Sequence, residues 1–264
     1  MKNFKLSKKL VLVLSCLLLV TFPVLAEQTG ASIMQKVQEA QASTTSALDI
    51  KLTLQEENGS ARERRLQTLT SEKDGLTKTL TVFLSPSSVK NTRFLTLENK
   101  DGNDDQWIYL PSLGKTKRIA AQEGGGSFMG SDFTYADMAS TTYTKDQAVH
   151  TLLREEDAGT YHCYVVESVP TISSEYGKTI IWVDQTTFLP IQVEFYKKDE
   201  TSLLKVLKTE EITKVGNRWM TTTLVMTSLD SQHSTRIEIL QAKYDIPLNE
   251  GFFTLSFLAT GRLS

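Results

Sequence analysis

The stretch Leu48-Asp49-Ile50-Lys51-Leu52-Thr53-Leu54-Gln55 decides the fold of this chain. Apolar and polar residues alternate strictly along it, which is typical of a β-strand with one dry face and one wet face. Asn58-Gly59 follows, and it predicts a tight hairpin because both residues tolerate positive φ. The chain therefore turns back on itself at once, as it does in an antiparallel sheet.

The same pattern recurs along most of the chain. Similar turn signals occur at Asp74-Gly75, Asp101-Gly102 and Gly216-Asn217. Strand-like runs occupy residues 64–70, 76–84, 93–98, 106–110 and 115–120, and then 161–169, 179–184, 191–196, 203–209, 219–228 and 235–243. Roughly a dozen strands joined by short turns predict a mainly β fold with a few helices, an unclosed antiparallel barrel or a strongly curved sheet.

One helix precedes these strands. Ile33, Met34, Val37 and Ala40 recur at helical spacing, which predicts a short amphipathic helix with Ser32 as its N-cap.

Residues 121–153 interrupt the pattern of strands. They contain no run of period two, a glycine-rich stretch, and two segments with helical leanings at 135–139 and 147–154. A long interruption of this kind is more often a lid or binding loop than filler. We expect a partly helical lid whose hinge is formed by glycines, since consecutive glycines lower the cost of moving the backbone: Gly124, Gly125, Gly126 and Gly130.

The N-terminus resembles a secretory signal peptide. Four lysines precede an apolar run at residues 10–20, and Val24-Leu25-Ala26 forms a small-residue cleavage site. We predict a signal peptide over residues 1–26 and a single domain over 27–264, because no linker or change of composition divides the remainder. Lipidation at Cys16 is the alternative, although the apolar run continues past that cysteine, unlike in a lipoprotein signal.

The net charge and the cysteine content exclude some classes of function and of stabilisation. The 264-residue chain has a formal charge of −2, and removing residues 1–26, which carry four lysines and no acid, makes it −6. A mildly acidic protein lacks the basic footprint of a nucleic-acid binder. Cys163 is then the one remaining cysteine, so no intrachain disulfide forms, and we predict that Cys163 is a small buried hydrophobe.

No motif supports catalysis, a cofactor or a metal. His162 and Cys163 are adjacent, and neighbours in a strand point to opposite faces. The calcium-like spacing of Asp101, Asn103 and Asp105 lacks the required Gly and Glu, so we interpret it as a polar turn. Gly125 and Gly130 have P-loop spacing but no following lysine. We therefore predict a protein that is not an enzyme, with no catalytic residues, metal or cofactor.

Large apolar side chains gather around the interruption. They are either ordinary core residues or the wall and lid of a greasy cavity, which flexible Met side chains would suit. The candidate ligand-binding residues are Trp107, Tyr109, Leu110, Phe128, Met129, Phe133, Tyr135 and Met138. Lys115, Lys117 and Arg118 form a basic run, which is either a solvated strand or a docking patch for an acidic partner or lipid headgroup.

These residues also carry a family resemblance. Trp107-Ile108-Tyr109-Leu110-Pro111, Lys115-x-x-Arg118-Ile119 and the block from Gly126 to Asp137 are similar to the outer membrane lipoprotein-sorting protein family, as is the C-terminal Tyr244-Asp245-Ile246-Pro247-Leu248 with Phe252-Phe253. The resemblance implies an unclosed β-barrel of about eleven antiparallel strands, helices over its mouth, and an apolar cavity for acyl chains. It also implies an arginine that holds the lid shut, but nothing around Arg93 or Arg118 matches the better-known carrier closely enough to place it.

The function we expect is therefore that of a non-enzymatic periplasmic carrier. It would bind acyl chains of lipoproteins or lipids for transfer towards the outer membrane, acting as a monomer without nucleic-acid partners. The alternative is an accessory subunit of a resistance-nodulation-division type export complex, which would act by protein–protein contact with an inner-membrane pump. The sequence leaves open the cargo and the direction of transfer.

Overall fold

The computed structural model describes residues 28–100, 103–138, 147–231 and 233–263. Helix α1 (Gly30–Gln41) comes first, helix α2 (Leu255–Thr260) comes last, and 3₁₀ turns lie at Ala121–Glu123 and Glu250–Phe253. The strands between the helices are β1 (Thr45–Gln55), β2 (Ala61–Lys73), β3 (Leu76–Ser85), β4 (Arg93–Leu97), β5 (Asp105–Leu110), β6 (Lys115–Ile119), β7 (Ala148–Ala158), β8 (Tyr161–Pro170), β9 (Lys178–Asp184), β10 (Pro190–Tyr196), β11 (Leu203–Val215), β12 (Arg218–Ser228) and β13 (Ser234–Tyr244).

These strands form one antiparallel sheet. Its order is β6-β5-β4-β3-β2-β1-β13-β12-β11-β10-β9-β8-β7, so two meanders are joined where β1 pairs with β13. The mainly β, unclosed fold that the sequence predicts is confirmed, although the described sheet has thirteen strands and not about eleven. Strands β6 and β7 are its two edges, and the segment between them must therefore cross from one edge to the other.

The sheet buries apolar side chains on both faces. The face that contacts α1 and the crossing segment is called the inner face, and it carries two core clusters that share Met138 and Ile237. On the opposite, outer face, Leu80 and Leu95 pack against Phe253 and Leu258 of the C-terminal segment. Because side chains alternate along a strand, each strand contributes to both layers.

Helix α1 begins earlier than Ser32. Thr29 is the N-cap, since its hydroxyl accepts a hydrogen bond from the Ser32 amide at 3.1 Å while the Ser32 hydroxyl accepts one from the Thr29 amide at 2.9 Å. The prediction that Ser32 is the cap was wrong because a serine at the third helical position can also form half of a capping box.

The helical prediction for residues 147–154 was also wrong. Strand β7 covers Ala148–Ala158 and pairs with β8, with a register shift between Leu152 and Arg154. It is an edge strand whose apolar residues reach solvent, Val149 being 60% exposed and Leu153 42% exposed. One face of β7 is covered, with Ala148 buried and Leu152 packed against the inner core, but the apolar residues on the other face are exposed. Apolar residues on both faces remove the alternation, so the sequence carries no strand signal here.

The predicted turns that fall within the described residues are present. Asp74 and Gly75, between β2 and β3, have φ angles of 56° and 76°, and Gly59 has a φ of 82°. At the Asp74-Gly75 turn, positive φ at both central residues matches the twist of the flanking strands. The Asp101-Gly102 turn, the signal peptide and Cys16 lie outside the described residues.

Candidate functional site: an apolar interior under a lid segment

Residues 124–138, here called the lid segment, fold into a loop closed by its own hydrogen bonds. The Phe128 amide donates to the Phe133 carbonyl at 2.7 Å, and the Tyr135 amide donates to the Gly126 carbonyl at 3.1 Å. Ser127 and Thr134 form an isolated β-bridge between them. The loop can therefore keep its shape if it moves as one piece.

The glycines of the lid segment have distinct local roles. Gly130 has a φ of 77°, a conformation that favours glycine, and it follows Met129 at 55°. A Cβ added to Gly125 would lie 2.6 Å from the Glu175 carboxylate. Gly124 and Gly126 accept hydrogen bonds from Ala136 and Tyr135 through their carbonyls. A hinge at Gly124, Gly125, Gly126 and Gly130 stays a prediction.

Aromatic side chains of the lid segment fill the interior of the curved sheet. Phe128 is 2% exposed, with its ring centroid 5.0 Å from Phe94, 5.9 Å from Phe83 and 5.8 Å from Tyr135. Among the candidate residues, Leu110, Met129, Tyr135 and Met138 pack against this same cluster. Phe133 lies in the other inner cluster, beside α1, and Met138 contacts both.

The sheet separates Trp107 and Tyr109 from these residues. They pack with the C-terminal segment on the outer face, where the Arg118 and Arg93 guanidinium groups lie 5.9 Å and 4.2 Å from their ring centroids. Neighbouring Ile108 and Leu110 point inward, because side chains alternate along β5. The prediction that Trp107 and Tyr109 lie in one cavity with the lid residues was therefore wrong, because their side chains are on the opposite face of the sheet.

A buried ion pair fastens the lid segment to the sheet. The Lys205 ammonium of β11 donates to the Asp137 carboxylate, with the two side chains 3% and 0% exposed. It also donates to the Asp132 carbonyl at 3.2 Å, while the Tyr176 hydroxyl donates to Asp137 at 2.7 Å. The ammonium lies 5.2 Å from the Phe195 ring centroid, so the charge is embedded in apolar core.

A second carboxylate of the lid segment is held by hydroxyl groups. Ser228 of β12 and Thr235 of β13 each donate to the Asp132 carboxylate at 2.6 Å. The Asp132 amide in turn donates to the Thr235 hydroxyl at 3.0 Å. Both acids of the lid segment are thus bound by side chains of the inner face.

Arg64 holds the tip of the lid segment. It lies on β2, is 8% exposed, and donates to the Met129 carbonyl at 2.5 Å. Burial lowers the pKa of the Arg64 guanidinium. Nearby, the Gln106 amide donates to the Tyr135 carbonyl at 2.8 Å.

Sequence reasoning missed Lys205 and Arg64. Each occupies an inward position of an alternating strand, two residues before an inner-face leucine, Leu207 or Leu66. A Lys or Arg at a position where the alternating pattern expects a buried apolar residue could have indicated them, since such side chains are rarely fully buried without a partner.

Arg93 has a structural role on the outer face. Its guanidinium donates to the Leu258 carbonyl at 2.6 Å and to the Ala259 carbonyl at 3.0 Å, at the C-terminal end of α2. It therefore satisfies carbonyl groups that the helix end leaves unpaired.

The predicted docking patch lies on the edge strand β6. Lys117 donates to Glu123 at 2.6 Å, and this ammonium holds the pKa of the Glu123 carboxyl below its usual range. Arg118 pairs with Asp105, and Lys115 is exposed. Two of its three cations thus already have acidic neighbours.

Cys163 is fully buried, as predicted, and burial raises the pKa of its thiol to about 11. His162, next to it, is exposed. In the described ranges no group of three or more His, Cys, Asp and Glu side chains could hold a metal ion. The helices found there are too short or too polar to cross a membrane.

Comparisons with known proteins identify the fold. A DUF1329 family protein from Desulfovibrio piger is 25% identical, with a TM-score of 0.83 over 87% of this chain and 97% of that one. An outer membrane lipoprotein-sorting protein domain from Vibrio parahaemolyticus is 29% identical, with a TM-score of 0.81 over 87% and 98%. A family model described as an uncharacterized protein matches residues 75–260. The chain belongs to the family of that model, and it is similar to the outer membrane lipoprotein-sorting protein domain over most of its length.

A more distant solved structure has the same fold. A LolA superfamily protein from Nitrosomonas europaea is 21% identical and superposes with a TM-score of 0.71, covering 88% of this chain and all of that one. At that identity the likeness concerns the fold. No curated protein matches this chain. The lid segment lies within the matched residues, and so do Trp107 and Lys205.

Proposed function

We propose that this protein is a periplasmic, non-enzymatic carrier that binds acyl chains of lipoproteins or lipids inside its curved sheet. The observation that carries the proposal is the position of Phe128, which is almost completely buried inside the sheet although it belongs to a loop and not to a strand. A loop that fills the interior with its own side chains can yield that space to another apolar molecule. The sorting-protein domain from Vibrio supports the same function.

The energetics of acyl chains favour such an exchange. Each CH₂ group removed from water contributes about 0.8 kcal/mol, so a long chain crosses an aqueous compartment very slowly without a carrier. Moving the lid segment outward would uncover Phe83, Phe94 and Leu110 of the inner face, all members of one cluster. The chains of the cargo would then replace the contacts that Phe128 and Met129 make in the closed form.

Arg64 is the residue that we assign to holding the lid shut. Its hydrogen bond to the Met129 carbonyl joins β2 to the tip of the lid segment. Among the described residues, no acidic side chain lies within 4.0 Å of Arg64. The Met129 carbonyl is therefore the hydrogen-bond partner that positions its guanidinium group. An arginine in this role agrees with what the family resemblance implies.

A disulfide between the lid segment and the sheet tests the proposal. Asp132 and Thr235 are in side-chain contact at 2.6 Å, so Asp132→Cys with Thr235→Cys is the pair that we choose to oxidise, and free-thiol counting verifies that the disulfide has formed. The assay measures fluorescence of the neutral probe N-phenyl-1-naphthylamine. We expect the oxidised variant to lose probe binding and dithiothreitol to restore it.

The two single-cysteine variants are the matched controls. Cys163 is fully buried and does not compete for the new thiols. Undiminished probe binding by the oxidised double variant contradicts lid opening. Protein purified from its native envelope with no bound lipid by mass spectrometry, and with no probe binding, contradicts the carrier function.

The basic patch on β6 favours a second candidate function. This strand is a sheet edge with Lys115 exposed, which suits contact with an acidic surface of an inner-membrane export pump. Co-purification with an inner-membrane pump subunit from solubilised membranes tests it, with Lys115→Gln and Lys117→Gln as variants. Loss of the co-purified pump subunit in the variants supports an accessory role, whereas unchanged co-purification contradicts it.

A further inference from the structure

The inner face carries a set of hydrogen-bond donors that bind carboxylates of the protein's own lid. Lys205 donates to Asp137, while Ser228 and Thr235 donate to Asp132. Sheet register places these donors together, since Lys205 pairs with Ser228 across β11 and β12. Met226, which is two residues before Ser228, pairs with Thr235 across β12 and β13.

These donors lose their partners when the lid segment moves outward. Asp137 is the acidic group within 4.0 Å of the Lys205 ammonium in the described part of the chain, and it leaves with the lid. The ammonium would remain against the Phe195 and Tyr176 rings, 5.2 Å from each centroid. A charge left unpaired in apolar surroundings is strongly destabilising, so an open form without a replacement anion is unfavourable.

We propose that the cargo is an anionic amphiphile whose oxyanion, a carboxylate or a phosphate, takes the place of the lid carboxylates on Lys205, Ser228 and Thr235. This inference rests on the proposed carrier function and adds the chemical class of the cargo. The site already has the donors that an oxyanion needs, one ammonium and two hydroxyl groups. The apolar clusters on either side would receive the acyl chain.

A third hydroxyl group supports the assignment. Thr179 of β9 lies in the same cross-strand row, because it pairs with Phe195, and Phe195 pairs with Lys205. Thr179 is fully buried, and its hydroxyl has no hydrogen-bond partner among the described residues. Buried hydroxyl groups are normally satisfied, so this row can accommodate more hydrogen-bonding groups than the closed lid supplies.

Competition against N-phenyl-1-naphthylamine tests the cargo class. Dodecanoic acid and dodecan-1-ol have the same chain length and differ in charge at pH 8, and dodecyl phosphate supplies the phosphate form. We expect the two anionic amphiphiles to bind at least about tenfold more tightly than the alcohol, which is the difference in affinity that a charge-assisted hydrogen bond contributes. Hydrogen exchange in residues 124–138 should quicken when dodecanoic acid is added.

Variants of the donor set separate the anion from the chain. Lys205→Met combined with Asp137→Asn removes both charges of the pair, and we expect the acid and the alcohol to bind within about threefold of each other. Lys208→Met is the matched control, because Lys208 lies on the same strand but is exposed, and it should retain the full preference. If the double variant fails to fold, Thr235→Val provides the comparison and should reduce the ratio of acid affinity to alcohol affinity.

The outcomes distinguish the inference from the proposed function. Equal binding of acid and alcohol by the wild-type protein overturns the anionic cargo and leaves an acyl carrier. Binding of neither the probe nor any of the three amphiphiles overturns both. Inorganic phosphate that competes as strongly as dodecyl phosphate overturns the amphiphile in favour of a small-anion site.

Discussion

Phe128→Ala is the sharpest probe of the lid segment. The ring is 2% exposed and is in contact with Phe83, Phe94 and Tyr135. Removing a buried phenyl ring from a core costs about 3–5 kcal/mol. In the closed form this loss falls on the contact between lid and sheet, so the free energy of lid opening should fall by about 3 kcal/mol.

Hydrogen exchange followed by mass spectrometry measures this change in the free energy of lid opening. The Asp132 amide donates to the Thr235 hydroxyl of β13, so this hydrogen bond breaks and the amide exchanges when the lid segment moves outward. A fall of about 3 kcal/mol corresponds to roughly a hundredfold faster exchange in residues 124–138.

Phe83→Ala is the matched control, because Phe83 is just as buried but belongs to strand β3 of the sheet. It should weaken the whole sheet by about 3–5 kcal/mol while accelerating lid exchange less than Phe128→Ala does. Lid amides that are as protected as β9 and β10 in the wild-type protein and in both variants would refute an independently opening lid.

Four further predictions concern single residues. Arg64→Gln loses the hydrogen bond to the Met129 carbonyl, so we expect faster binding of N-phenyl-1-naphthylamine in stopped-flow fluorescence; an unchanged rate would exclude Arg64 as the lid contact. Arg93→Ala removes two hydrogen bonds from the end of α2, and chemical denaturation should show a loss of about 1–3 kcal/mol in unfolding free energy. Cys163, with a thiol pKa of about 11, should not react with Ellman's reagent at pH 8 until the protein is unfolded; rapid labelling of folded protein would contradict its burial. Burial raises the pKa of Asp104 to about 6, above its unfolded value, so this carboxyl lowers stability as pH rises from about 4 to 6; Asp104→Asn should therefore be more stable than wild type at pH 7 by about 1–2 kcal/mol and not at pH 3.5, as thermal unfolding at the two pH values would show.

The sequence predicts strands well where one face is buried and the other is wet. Residues 48–55, 64–70 and 191–196 all lie inside observed strands, because their side-chain period is a local property. It fails at β7, where an edge strand exposes apolar residues and the alternation is lost. It also places Trp107 and Tyr109 with Phe128, since closeness in the chain does not reveal which face of a strand a residue occupies.

What the sequence by itself determined is the class of the fold, the position of the lid segment between two sets of strands, and the burial of Cys163. These follow from periodicity, turn residues and residue type, which act over a few neighbouring positions. Only the tertiary structure decided that β1 pairs with β13, which makes one sheet of two meanders. That pairing brings Lys205, Ser228 and Thr235 under Asp132 and Asp137, residues about 70 to 100 positions away. No local pattern encodes such a meeting, because it depends on the curvature of the whole sheet and on a lid that must cross from one edge to the other.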